Sequence, residues 1–195
     1  MRTVIYSMSV SLDGFIAGPD GDISWTAPDQ ELMGFHVQQT RQVGAHLLGR
    51  GLYEAMLPWE TPETWWSDPE APEFARIWKA IPKVVFSTTL DQVQGNARLA
   101  GDDVAGEVAK LKEASGEGVI GVGGAGLAAT LIKLDLIDEY RLFVYPLVLG
   151  SGKRLFGSGT VPAAFKQVES ITTARGPTYY RLERCGKPEY GRIGS

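Results

Sequence analysis

Residues 119–127 read Val119-Ile120-Gly121-Val122-Gly123-Gly124-Ala125-Gly126-Leu127. A short apolar run ends in a literal G-x-G-x-x-G and passes directly into Leu127, Leu131 and Leu134, spaced for one face of a helix. Glycines at such a turn let the backbone come close to a pyrophosphate, and the free N–H groups at the helix start attract its charge. Two readings are open at this point. A Rossmann fingerprint would need an acid closing the next strand, yet that strand closes with Tyr145-Pro146, and the turn falls late in the chain. The other reading is a tight turn that holds no ligand.

Working outward, the chain alternates strands and helices. Arg2 to Val10 is partly apolar on both alternating sets, as suits a central strand covered on two faces. Gly14, Gly18, Pro19 and Gly21 then impose a loop over 11–27. Pro28-Asp29-Gln30-Glu31 opens a helix running to about Val43. Strands are expected over 45–48, 83–87 and 118–122, helices over 73–80 and 104–114, and a long strand over 138–145. Late strands over 165–173 and 178–184 form a hairpin around Gly176-Pro177. The pattern predicts one α/β domain over 1–185, followed by a tail over 186–195. Trp65 and Trp66 lie in a Pro-rich excursion that is read as packing, a lid or a subunit contact.

Two further strand ends carry phosphate-compatible chemistry. Gly49-Arg50-Gly51 offers a guanidinium fork directly after a buried strand, and Ser87-Thr88-Thr89 offers three hydroxyls. Each has a plain alternative, a solvated loop cation or a turn cap. Ligands of open α/β sheets bind outside the carboxyl ends of the strands, so three such turns on one sheet count for more together than singly.

Composition excludes other classes. The net charge is −4 and Lys and Arg are scattered, so no nucleic-acid footprint exists. One cysteine and two histidines speak against an internal disulfide or a structural zinc knuckle. No segment reaches the length of a membrane span, and a cytoplasmic protein is expected.

The ordered set of motifs resembles the dihydrofolate reductase-like superfamily, in particular stand-alone relatives of the C-terminal reductase domain of riboflavin biosynthesis. The resemblance rests on Ser11-Leu12-Asp13-Gly14-Phe15-Ile16-Ala17, on Leu47-Leu48-Gly49-Arg50-Gly51-Leu52-Tyr53-Glu54, and on Val85-Phe86-Ser87-Thr88. It continues through Gly123-Gly124 and Asp138-Glu139-Tyr140 to Pro146, Leu149-Gly150, Gly152 and Leu155-Phe156, spanning residues 3–183. It implies a three-layer α/β fold: a central mixed, mostly parallel sheet, helices on both faces and antiparallel C-terminal edge strands. It also implies NADPH across the strand ends and a homodimer. Gly49, Arg50, Ser87 and Thr88 would hold cofactor phosphate. Ile16, Ala17 and Gly18 would lie along the nicotinamide, and Gly123, Gly124, Ala125, Gly126 and Leu127 would cradle the pyrophosphate. The riboflavin reductases usually carry an acid where this chain has Val122, which speaks against a ribosylamino-pyrimidine substrate.

The expected activity is hydride transfer from NADPH to a small heteroaromatic substrate, pterin-like or pyrimidine-like, or to a carbonyl or imine. Asp29, Asp13 and Tyr53 are the candidate catalytic groups, with helix-start, turn-cap and packing roles as their alternatives. Trp25 and Phe35 are candidate walls for the small-molecule substrate. A non-catalytic NADPH-binding protein and a flavin or deazaflavin reductase are the competing classes.

Overall fold

A computed structural model of the chain describes residues 1–61, 68–174 and 176–190. Trp65 and Trp66 lie outside the described residues.

The first strand, β1 (Val4–Ser11), is followed by a short β2 (Phe15–Ala17), helix α1 (Gln30–Arg41), β3 (Val43–Gly49) and helix α2 (Arg50–Met56). Helix α3 (Ala71–Ala80), β4 (Lys83–Phe86), β5 (Ala97–Leu99) and α4 (Val104–Glu113) come next. Then follow β6 (Val119–Gly123), α5 (Ala125–Lys133), β7 (Glu139–Tyr145), β8 (Lys153–Arg154), β9 (Ala164–Thr172) and β10 (Thr178–Gly186). The main sheet has the order β5-β4-β3-β6-β1-β7-β10-β9. Pairing is parallel from β5 to β7, then antiparallel at β10 and β9. This is the expected mixed sheet with antiparallel C-terminal strands.

Strand alternation divides the core. Val4, Tyr6 and Val10 pack with Leu47, Val122, Leu142 and the α5 residues Leu127 and Leu131 on one face. Phe143 and Tyr145, one residue out of phase, meet Leu32 and Phe35 of α1 on the other. On that same face Leu48 and Val85 pack against Tyr53 and Trp78. Helices therefore cover both faces, although β1 carries Ser7, Ser9 and Ser11 on the face opposite Tyr6 and Val10.

Three elements escape the sequence reading. β5 is only three residues long, and β2 and β8 form a separate two-stranded ribbon. That ribbon depends on Gly152: a Cβ there would lie 2.1 Å from the Ala17 carbonyl oxygen. The helix start, by contrast, is as predicted, because the Asp29 carboxylate accepts the Leu32 N–H at 2.9 Å.

Candidate functional site

A cleft of about 870 Å³ lies at the carboxyl ends of β3, β4 and β6. Gly49, Arg50 and Gly51 form one wall, Ser87, Thr88 and Thr89 a second, and Gly124, Ala125, Gly126 and Leu127 a third. Ile16 and Ala17 of β2 line the other end beside Met8 and Lys153. Of the positions expected to hold cofactor, Gly18 and Gly123 are the two that do not line this cleft.

The glycine-rich stretch divides by role. Gly121 and Gly123 are strand residues needed for packing: a Cβ would sit 2.7 Å from His46 Nδ1 at the first and 2.3 Å from Leu52 Cδ2 at the second. Gly124 makes the turn, with φ of 96°, and a Cβ there would meet the backbone N of Gly49 at 3.4 Å. At Gly126 and Gly51 a Cβ would meet nothing within 4 Å, so the backbone there faces open space. Helix α5 begins at Ala125 with no side-chain cap, leaving its first N–H groups to a ligand. The second half of the motif is the part that faces the cleft.

Arg50 is pre-oriented. Its Nε donates to Glu54 at 2.9 Å and its Nη1 to the Thr89 hydroxyl at 2.7 Å. Ser87 accepts from the backbone N–H groups of Thr89 and Leu90, which shapes the turn that presents Thr88 and Thr89. A guanidinium, a hydroxyl cluster and an uncapped helix start around one cleft fit an anionic dinucleotide.

The remaining predicted residues lie elsewhere. Asp13 receives the Ser11 hydroxyl at 2.6 Å and the N–H groups of Leu149 and Gly150 at 3.1 and 2.8 Å. These bonds, the Ser11 hydroxyl first, hold its carboxyl down at about 2. Asp29 caps α1. Tyr53 is buried beneath α2, where its hydroxyl accepts the Gln94 N–H at 2.8 Å. None of the three lines the cleft. Trp25 stands edge-on to Tyr145 at 5.2 Å, and Phe35 lies 4.8 Å from Tyr179, both on the α1 face of the sheet. On that face Ser7 is exposed although its strand is paired on both sides, and the ring of His36 lies 4.8 Å from Phe143.

Lys153, Met8 and Ile23 join the cleft without having been anticipated. The signal for Lys153 was the turn Gly150-Ser151-Gly152, a second glycine-rich bend after a strand.

Residues 2–179 match the RibD C-terminal domain family, and the chain belongs to that family. It is 34% identical to Uncharacterized protein YyaP of Bacillus subtilis over 90% of this chain and 91% of that one. A provisionally named riboflavin biosynthesis protein of Shewanella sp. PV-4 superimposes with a TM-score of 0.74 at 25% identity, covering 94% of this chain and 99% of its own. Dihydrofolate reductase of Enterococcus faecalis, solved with NADP(H), shares the fold with a TM-score of 0.60 at 15% identity, over 93% and 96% of the two chains. Among the described residues no helix is long and apolar enough to cross a membrane.

Proposed function

We propose that this protein binds NADPH in the cleft at the ends of β3, β4 and β6 and reduces a small heteroaromatic, carbonyl or imine substrate. The observation that carries the reading is that Arg50, Ser87 and Gly124, from three separate turns, line a single cleft. Arg50, with Thr89 beside it, suits the 2′-phosphate of the adenosine half. The start of α5 suits the pyrophosphate, and Met8, Ile16 and Ala17 supply an apolar bed for the nicotinamide. When bound, the cofactor supplies the hydride; the chain binds it, orients it and limits water around it. The aromatic rings of Trp25 and Phe35, on the α1 face of the sheet where Ser7 is exposed, suit a planar substrate. Family membership and the NADP(H) held by a dihydrofolate reductase of the same fold lend further support.

A second reading, a cofactor-binding protein without turnover, draws on one observation: Asp13, Asp29 and Tyr53 are each committed to bonds within the fold. Oxidation of NADPH, followed by its absorbance against a panel of pterin, quinone, flavin and imine substrates, separates the two. Substrate-dependent oxidation is the expected result. Saturable binding with no oxidation by any compound would favour the second reading, and no NADPH binding would remove both.

The homodimer belongs to the same proposal. Edge strand β9 is exposed along most of its length and carries Val168 and Ile171 outward, a surface that a second copy would cover. A monomer mass in sedimentation equilibrium would contradict it.

A further inference from the structure

The ribbon of β2 and β8 forms the end of the cleft nearest β1, and Ala17 and Lys153 are paired across it. The neighbours of Lys153 are all committed to the fold. Gly152 lies so close to the Ala17 carbonyl oxygen that a Cβ would not fit. Arg154 sets its guanidinium over the Phe15 ring at 4.4 Å and donates to the Asp13 carbonyl at 3.5 Å. Leu155 is buried in the core with Val10 and Ile16, and its N–H donates to the Gly14 carbonyl at 3.0 Å. The Lys153 backbone is therefore held from both sides. Its side chain lines the cleft, is exposed, and makes no hydrogen bond or ion pair among the described residues.

Charge is sparse around it. The charged residues lining the cleft are Arg50, Asp102 and Lys153 among the described residues. Arg50 is paired with Glu54, and Asp102 follows β5 at the opposite edge of the parallel strands. The acids nearest in sequence to β2 are turned to other partners. The Asp13 carboxylate accepts the Leu149 and Gly150 N–H groups, and the Asp22 carboxylate accepts the Ser24 N–H and hydroxyl. Neither of them, nor Asp20, lines the cleft. The apolar bed of Met8, Ile16 and Ala17 thus has one unpaired positive charge beside it.

We infer that Lys153 sets the redox preference of the site, favouring NADPH over NADP⁺; the inference rests on the reading that the nicotinamide lies on this bed. The two nucleotides share every phosphate and differ by one hydride. The dihydronicotinamide ring is neutral, and the ring that has given its hydride to the substrate is a pyridinium cation. An ammonium held beside the bed repels that cation and leaves the neutral ring unaffected. Lys153 therefore loosens the spent cofactor once the hydride has left, and the next NADPH replaces it.

The test is a calorimetric titration of NADPH and NADP⁺ into the parent chain, Lys153→Met, Lys153→Glu and Lys153→Arg. The quantity read is the ratio of the two dissociation constants, in which any attraction of Lys153 for phosphate cancels. The parent should prefer NADPH. Lys153→Met should shrink that preference about three- to tenfold, the size expected for two unit charges several ångströms apart at a wet protein rim. Lys153→Glu should shrink it further, and Lys153→Arg should keep it. Thermal melting establishes that each variant is folded. A ratio unchanged in both Lys153→Met and Lys153→Glu overturns the inference while leaving the cofactor reading intact. That outcome includes an equal loss of both nucleotides, which would make Lys153 a phosphate contact. Binding of neither nucleotide to the parent would remove the cofactor reading and the inference with it.

Discussion

Arg50 donates from Nη1 to the hydroxyl of Thr89 at 2.7 Å, joining the start of α2 to the loop after β4 at the cleft. Both partners are solvent-exposed, so the contact adds little to stability; its effect is to hold the guanidinium in place before a ligand arrives. Thr89→Val keeps the shape and removes the oxygen. We predict an unchanged melting temperature and NADPH binding weakened by about 0.5–1.5 kcal/mol, measured by calorimetric titration. Unaltered affinity would show that the contact does not prepare the site.

Gly124 combines a φ of 96° with a neighbouring backbone 3.4 Å from where a Cβ would stand. Gly124→Ala should cost about 1–3 kcal/mol in urea unfolding and should also displace the start of α5 from the cleft, reducing cofactor affinity. A variant as stable as the parent would mean that the turn relaxes without penalty.

Asp13 ties the loop after β1 to the segment before β8, and with it the β2–β8 ribbon that brings Ile16, Ala17 and Lys153 to the cleft. In Asp13→Ala the Leu149 and Gly150 amides should lose their protection, seen as faster hydrogen exchange confined to these two loops. Because the carboxyl titrates near 2, below its ordinary 3.8, its contribution is present above pH 3.8 and is lost as pH falls toward 2. Exchange rates equal to those of the parent would dissociate Asp13 from loop order.

His46 is enclosed against Trp78 at 4.9 Å and Gly121, and its Nε2 has no hydrogen-bond partner among the described residues. Burial first, and the Lys83 charge second, push its pKa from 6.5 down to about 4; burial does the same to His36. The native state keeps both rings neutral while the unfolded chain ionises them near pH 6.5. Stability is therefore complete above pH 6.5 and declines as pH falls to about 4, by on the order of 1–3 kcal/mol for His46. Urea unfolding of the parent and of His46→Gln across that window is the check. The variant should show the shallower decline, and parallel curves would rule out His46 as a contributor.

Long apolar runs and glycine turns made most of the fold readable in advance. β1, β6 and α5 were visible because of the apolar alternation Val4, Tyr6, Met8, Val10, the apolar run into the glycine turn, and the one apolar face of the helix. The β2–β8 ribbon was not, since strands of two or three residues have no period to detect and their pairing joins segments more than 130 residues apart. At the site, Arg50, Ser87 and Gly124 announced themselves as the chemistry expected at strand ends. The acids did not resolve in the same way. Asp13 and Asp29 carry the residue type that both a cap and a catalytic group require, and only the positions of Leu149, Gly150 and Leu32 show which bonds they make. Gly121 belongs to the fingerprint by spelling and to core packing by geometry, a difference set by His46 from another strand.

The most direct test of a single phosphate-binding cleft is a calorimetric titration of NADPH and NADH into the parent chain and into Arg50→Ala. Saturable NADPH binding by the parent is predicted, weakened by about 1.5–3 kcal/mol in the variant, with a smaller loss for NADH because it lacks the 2′-phosphate. Equal NADPH affinity in the two proteins, or no binding to the parent, would contradict the account.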